Sequence, residues 1–221
     1  MISREFVSPG RFVDSNAPEV VAFARQAAAG ASRGEIETAV SIYRAVRDGI
    51  VYDPYVDFSD QANFCASQVL AAGRGFCVGK SALLAAAARA LRIPARVGYA
   101  DVRNHLTSPK LYQRIKTDVF LWHSYTDLYV NGVWAKATPA FDSALCQRLG
   151  LAPLEFDARH DSLFQPFDRQ GRRHMEYLRE RGTFADVPFA AIVADFRAAY
   201  PSLMGGAALS GDFGAEAIAG A

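Results

Sequence analysis

The chain has 221 residues, of which 51% are hydrophobic and 21% charged, and its 24 basic and 23 acidic side chains leave a net charge of +1. This is the composition of an ordinary globular protein, long enough for one domain with a sizeable core. The charge balance removes any bulk electrostatic case for nucleic acid or an anionic membrane, and no stretch approaches the roughly 20 apolar residues of a membrane span.

The first residues, MISREFVSPGRFVDS, carry charges instead of an apolar run, and the three cysteines (65, 77 and 146) are odd in number. Together these predict reduced thiols and a cytoplasmic location, not a disulfide framework. Asn16-Ala17-Pro18-Glu19 reads as a helix start with an Asn cap, the helix running to Gly30. Ser32-Arg33-Gly34-Glu35 is a second capping box, followed by Ile36, Ala39, Val40, Tyr43 and Val46 at helical spacing. YDPYVDF (52–58) is an irregular link, and FCASQVLAAG is a short helix ending at Gly73. From Cys77 to about Leu91 a helix is predicted; residues 82–91 are almost all Ala, Leu or Arg, and its two apolar faces make it a buried central helix, stopped by Ile93-Pro94.

ARVGYADV (95–102) is a predicted strand, and 103–117 a polar connection with a short helix after Ser108-Pro109. FLWHSYTDLYVNGVWAKATPAF carries the strongest local signal, because Asn131-Gly132 marks a type I′ turn between two β-rich runs. From about 143 onward the chain reads as loop-rich, with a helix after Pro188 that ends near Tyr200-Pro201. The weakly apolar tail from 205 to 221 reads as disordered, leaving one domain over 1–204. Helices first and an antiparallel sheet afterwards predict an α+β fold.

Two chemistries compete within GRGFCVGKSALL (73–84). A phosphate-binding loop needs Gly, four residues, then Gly-Lys-Ser. Here the position five before Gly79 is Arg74, and the preceding segment is a helix where a strand is required, so the nucleotide reading fails. The other reading is a thiol. Cys77 follows Gly75-Phe76 and opens a helix, where free amides and the positive dipole end favour a thiolate and lower its pKa. Lys80 and Arg74 add positive charge, and Gly73 and Gly75 allow close backbone approach. Cys65 and Cys146 lack both the glycines and the helix start, and read as buried apolar cysteines.

A nucleophilic cysteine needs a base. Of the histidines at 105, 123, 160 and 174, only His123 falls on a predicted strand. A two-residue turn at Asn131-Gly132 pairs Tyr129 with Trp134, Asp127 with Lys136 and Tyr125 with Thr138. The aromatic and opposite-charge pairs support that register. His123 then faces Ala140, with Thr138 and Asp142 as its diagonal neighbours. Either could orient the imidazole, Asp142 by its charge and Thr138 by its place.

The segments GRGFCVGKSALLAAAARALRIPARVGYADV and WHSYTDLYVNGVWAKATPAFD resemble the transglutaminase-like superfamily over about residues 35–142. The resemblance implies a papain-related α+β fold in which a cysteine-bearing helix packs on an antiparallel sheet. It implies Cys77 as nucleophile and His123 as base. Arg92 stands where RIPAR replaces the family's GIPAR. The family's aspartate, four residues after the tryptophan, is here Thr138. The C-terminal third is similar to that of bacterial members. The implied chemistry is acyl transfer on an amide: as a cysteine peptidase or amidase if water accepts the acyl group, as a transamidase if an amine does.

The Cys77 amide with Gln68 or Asn63 is the candidate oxyanion site, and Gly75, Phe76 and Trp122 are candidates for contacting a peptide or amide substrate. No cofactor is expected, and His160-Asp161 and His174-Met175-Glu176 lack zinc-ligand spacing. The alternative is a binding module that keeps the fold without catalysis, which Thr138 favours and the pairing of Cys77 with His123 opposes. The aromatic and arginine-rich stretch 154–182 reads either as a cover over the sheet or as a pocket for an acidic or aromatic group.

Overall fold

A computed structural model describes residues 2–31, 34–105, 107, 109–204 and 213. The first helix, α1 (Pro18–Ala28), starts with Pro at its first position after Ala17, so the Asn16 cap does not form. The second, α2 (Glu35–Gly49), begins after Gly34, and the capping Ser32 lies outside the described residues. A two-residue strand β1 (Val51–Tyr52) follows, then α3 (Ala66–Ala72), a short β2 (Arg74–Gly75) and α4 (Cys77–Ala90). β1 and β2 pair in parallel, and the Asp53 amide donates to the Gly75 carbonyl (3.0 Å) just before the cysteine.

Every residue of α4 from Val78 to Arg89 is buried, as its two apolar faces predict. Its two charged side chains reach backbone carbonyls at the edge of the core. Lys80 Nζ donates to the carbonyls of Arg47 (2.9 Å) and Ile50 (2.5 Å), closing the C-terminal end of α2. Arg89 Nε and Nη2 donate to the Ala95 carbonyl (3.0 and 2.8 Å). Gly79 is required by packing: a Cβ there would lie 2.5 Å from the Asn63 carbonyl oxygen. The Gly-Lys-Ser of this stretch therefore serves helix packing, and Lys80 points away from the cysteine it was expected to assist.

After α4 the chain makes a left-handed turn at Arg92 (φ 66°) into β3 (Ala95–Asn104), followed by α5 (Pro109–Ile115). β4 (Val119–Val130) and β5 (Val133–Ala137) form the hairpin, with Asn131 (φ 48°) and Gly132 (φ 86°) in the positive-φ turn that the dipeptide predicts. Val130 pairs with Val133, Tyr129 with Trp134 and Asp127 with Lys136, as expected. The ladder stops at Thr126–Ala137, so the expected Tyr125–Thr138 and His123–Ala140 pairs do not form. The Thr138 amide instead donates to the Ser162 carbonyl (2.9 Å).

The last elements are α6 (Ser143–Arg148), β6 (Met175–Phe184) and α7 (Phe189–Ala199). β6 corrects the loop-rich reading of the C-terminal third. It joins the antiparallel sheet beside β3, giving the order β5-β4-β3-β6. α4 packs on this sheet at β4 and β3, with α1, α2 and α3 around it, in the α+β arrangement expected. The tail expected to be disordered lies outside the described residues except Phe213, whose ring meets those of Tyr52 and Tyr55 edge to face.

Candidate active site

Cys77 is the first residue of α4 and His123 lies on β4, the strand against which α4 packs. Both line one cavity of about 90 Å³. Its other walls are mainly apolar: Phe58 and Phe76 from the entry to α4, Val102 and Phe120 from the sheet, Met175 from β6 and Phe196 from α7. A second, smaller cavity of about 10 Å³ is lined by His123, Thr138, Ala140 and Gln165, among others. His123, Phe141 and Met175 line both cavities. His123 is 7% exposed, and its Nε2 has no hydrogen-bond partner among the described residues.

Local backbone geometry explains how His123 is presented. β4 pairs with β3 at His123–Ala100 and again at Phe120–Val102, so β4 holds one extra residue between them. Trp122, next to His123, takes a left-handed conformation (φ 58°), strained for a non-glycine residue. Its amide donates to Asp101 Oδ1 (3.1 Å) and its indole Nε1 to Asp195 Oδ2 (2.8 Å). Arg181 bonds both carboxylates (Nε to Asp101 Oδ1, 2.5 Å; Nη1 to Asp195 Oδ2, 2.6 Å) and lies 4.4 Å from the centre of an indole ring. The bulge beside His123 is therefore held by residues of β3, β6 and α7.

Electrostatically, the cavity keeps both candidate groups uncharged. Burial pushes the Cys77 thiol up to about 11, against the pull of the Ser124, Val78 and Cys77 amides. This overturns the expected lowering by the helix terminus: amides do approach the sulfur, but the apolar walls outweigh them. Burial, with a smaller push from His174, holds the His123 imidazole down at about 4. The resting pair is a thiol and a neutral imidazole.

The other expected residues divide clearly. Thr138 is buried, its Oγ1 has no partner among the described residues, and it shares the smaller cavity with His123. Asp142 is engaged elsewhere: Oδ1 accepts from the Leu145 amide (2.8 Å) as the cap of α6, and Oδ2 accepts from the Tyr52 amide (3.1 Å). It lines a different pocket, with Arg74 and Arg148. Gln68 is exposed on α3, and Asn63 Nδ2 donates to the Asp57 carbonyl (2.9 Å); neither lines the cavity of Cys77. Phe76 does line it, while Gly75 and Trp122 do not, the indole packing on Tyr99 and Phe184. Met175 and Phe196 were missed. Their signal was the apolar character of two segments whose approach to Cys77 depends on the whole fold.

The fold and the site define an α+β protein with a cysteine at the head of a buried helix and a histidine on the sheet beneath it. The chain belongs to the transglutaminase-like superfamily, whose family model matches residues 21–139. Among solved structures it is similar to a "putative cysteine protease" from Cytophaga hutchinsonii, with a TM-score of 0.50 and 20% identity. That match covers 85% of this chain and 48% of the other, so this chain spans about half its relative's length. A "putative protease" from Parabacteroides distasonis gives a TM-score of 0.42 at 16% identity, covering 61% of this chain and 26% of the other. No curated protein matches the chain.

Proposed function

We propose that the protein is a thiol-dependent acyl-transfer enzyme acting on amide bonds, as a cysteine peptidase, amidase or transamidase. The observation that carries this reading is the single cavity lined by Cys77 at a helix start and His123 on the adjoining strand. His123 Nε2 or Nδ1 takes the thiol proton as Cys77 Sγ attacks the carbonyl carbon. The tetrahedral oxyanion meets backbone amides around the sulfur, among them that of Cys77. The C–N bond then breaks, the amine leaves with the proton from His123, and a thioester remains on Cys77. Water or an amine attacks that thioester with His123 again as base. Peptides and other amides are the substrates this chemistry takes.

Thr138 is the orienting residue in this reading, since it shares a cavity with His123 and Asp142 does not. A hydroxyl leaves the dyad uncharged until substrate binds, consistent with the neutral pair at rest. The second reading, a binding module, is favoured by the same hydroxyl at the family's aspartate position. The two separate on acylation by an activated ester. The enzyme reading expects a thioester adduct on Cys77 that is lost in Cys77→Ala and slowed at least tenfold in His123→Ala. Equal adduct formation in wild type and His123→Ala would leave the binding module.

A further inference from the structure

We propose that the cavity beside Cys77 and His123 is an acyl pocket that selects a compact branched apolar group, the size of an isobutyl chain, and rejects charged ones. This rests on the acyl-transfer reading above. The cavity holds about 90 Å³. An apolar cavity of about 150 Å³ takes up benzene, so one of this size takes about three or four heavy atoms. Phe58, Phe76, Phe120 and Phe196 supply aromatic walls, and Val102 and Met175 close the sheet side.

Besides Cys77 and His123, the polar side chains on the wall are those of Tyr52, Asn104 and Tyr200, none of them an ionic group. Among the described residues, no Asp, Glu, Lys or Arg lines the cavity. The Tyr200 hydroxyl donates to the Val119 carbonyl (2.8 Å) and accepts from the Leu121 amide (2.8 Å). A carboxylate or ammonium entering this space would lose its hydration and meet no opposite charge among the described residues. Each apolar carbon that enters leaves water for hydrocarbon contact. The walls come from segments far apart in the chain, from Phe58 to Phe196, so the pocket is a product of the fold and not of one mobile side chain.

The test compares three 4-nitrophenyl esters: acetate, 3-methylbutanoate and the mono-ester of glutarate. In each case Cys77 Sγ bonds the acyl carbon, the aryl ester C–O bond breaks, 4-nitrophenolate leaves with the electron pair, and the thiol proton passes to His123. Rates of nitrophenolate release are divided by those of N-acetylcysteine, and intact mass locates the adduct. The expected result is a normalised rate for 3-methylbutanoate at least about tenfold above acetate, from burying three added carbons, with glutarate below acetate. Phe120→Ala should lower the ratio of the 3-methylbutanoate rate to the acetate rate, whatever it does to the acetate rate itself. Leu121→Lys, which puts an ammonium on the wall, should raise glutarate above 3-methylbutanoate. Equal normalised rates for the three esters, with Cys77 acylated, would overturn the pocket and leave acyl transfer standing. A failure of all three to acylate Cys77 would overturn acyl transfer itself.

Discussion

At the scale of single residues, the pair is governed by burial. The helix terminus was legible in the sequence, and Cys77 and His123, singled out there, line one cavity. The sign of the thiol's pKa shift was not, because it depends on walls contributed by Phe120, Met175 and Phe196. Alkylation of Cys77 by iodoacetamide should therefore keep rising through pH 9 towards its pKa of about 11. Peptide mapping separates it from Cys65 and Cys146, and a rate plateau between about pH 6 and 8 would instead mean a preformed thiolate. His123 gives a second prediction. The unfolded chain protonates this imidazole below about pH 6.5, whereas the folded chain holds it neutral down to about 4. Stability should fall as pH drops from 6.5 to 4, by up to about 3 kcal/mol from this group. In His123→Gln, urea midpoints at pH 7 and pH 4.5 should lie closer together than in the wild type. An unchanged gap would show that the acid-side loss comes from elsewhere. Asp142 was misread for a simple reason: its diagonal place assumed a hairpin that continues past Ala137, and it caps α6 instead.

At the scale of elements, local signals worked wherever a turn or helix end was fixed by neighbouring residues. Asn131-Gly132 set the hairpin register, and the Cys77–Ala90 helix starts where the glycines end. The bulge at Trp122 was not legible, since three other elements hold it: Asp101 on β3, Arg181 on β6 and Asp195 on α7. Arg181→Ala would leave Asp101, only 9% exposed, without its guanidinium, at a cost of about 3 kcal/mol. It should also slow Cys77 acylation by releasing the backbone beside His123. The Cys77 acylation rate should return partly with Arg181→Lys, which restores charge but not both bonds. A variant that loses stability yet acylates at the wild-type rate would remove Arg181 from the positioning of His123. The end of α4 offers a gain. Arg92 sits at φ 66°, just past the last turn, and the Ile93 amide donates back to the Ala88 carbonyl (2.9 Å). This is the position where glycine is favoured. Arg92→Gly should stabilise by about 0.5–1 kcal/mol, measured as a higher urea midpoint at unchanged slope.

At the scale of the whole molecule, the family model ends at residue 139, but the site does not. Met175 and Phe196 line its cavity, and β6 covers the free edge of β3. RHMEYLRERGTF looked like loop because an edge strand shows charges to solvent, and the run Arg179-Glu180-Arg181 followed by Gly182 breaks any alternation of apolar residues. The chain also closes on itself at Asp186. Its carboxylate accepts from the amides of Arg11 (2.7 Å to Oδ2) and Val13 (2.9 Å to Oδ1), and from that of Phe12 at 3.2 Å. Gly10 permits this approach, since a Cβ there would lie 2.6 Å from the Asp186 carboxyl carbon. Phe12 stacks on Phe189 (5.4 Å between centroids), and Arg89 Nη1 reaches the Ser8 carbonyl (2.8 Å), so the N-terminal turn is clamped between α4 and α7. Asp186→Ala strips the acceptor from four amides at once, those of Arg11, Phe12, Val13 and Val187, and should cost about 2–4 kcal/mol. Asp186→Asn keeps one oxygen for Phe12 and Val13 and should cost less. The mechanism predicts more than a lower urea midpoint: the first tryptic cut in Asp186→Ala should move to Arg11. Should Asp186→Ala unfold at the wild-type midpoint with Arg11 still protected, the carboxylate would be a contact without consequence, and the N-terminal turn would owe its place to the Phe12–Phe189 stack and the Arg89–Ser8 bond.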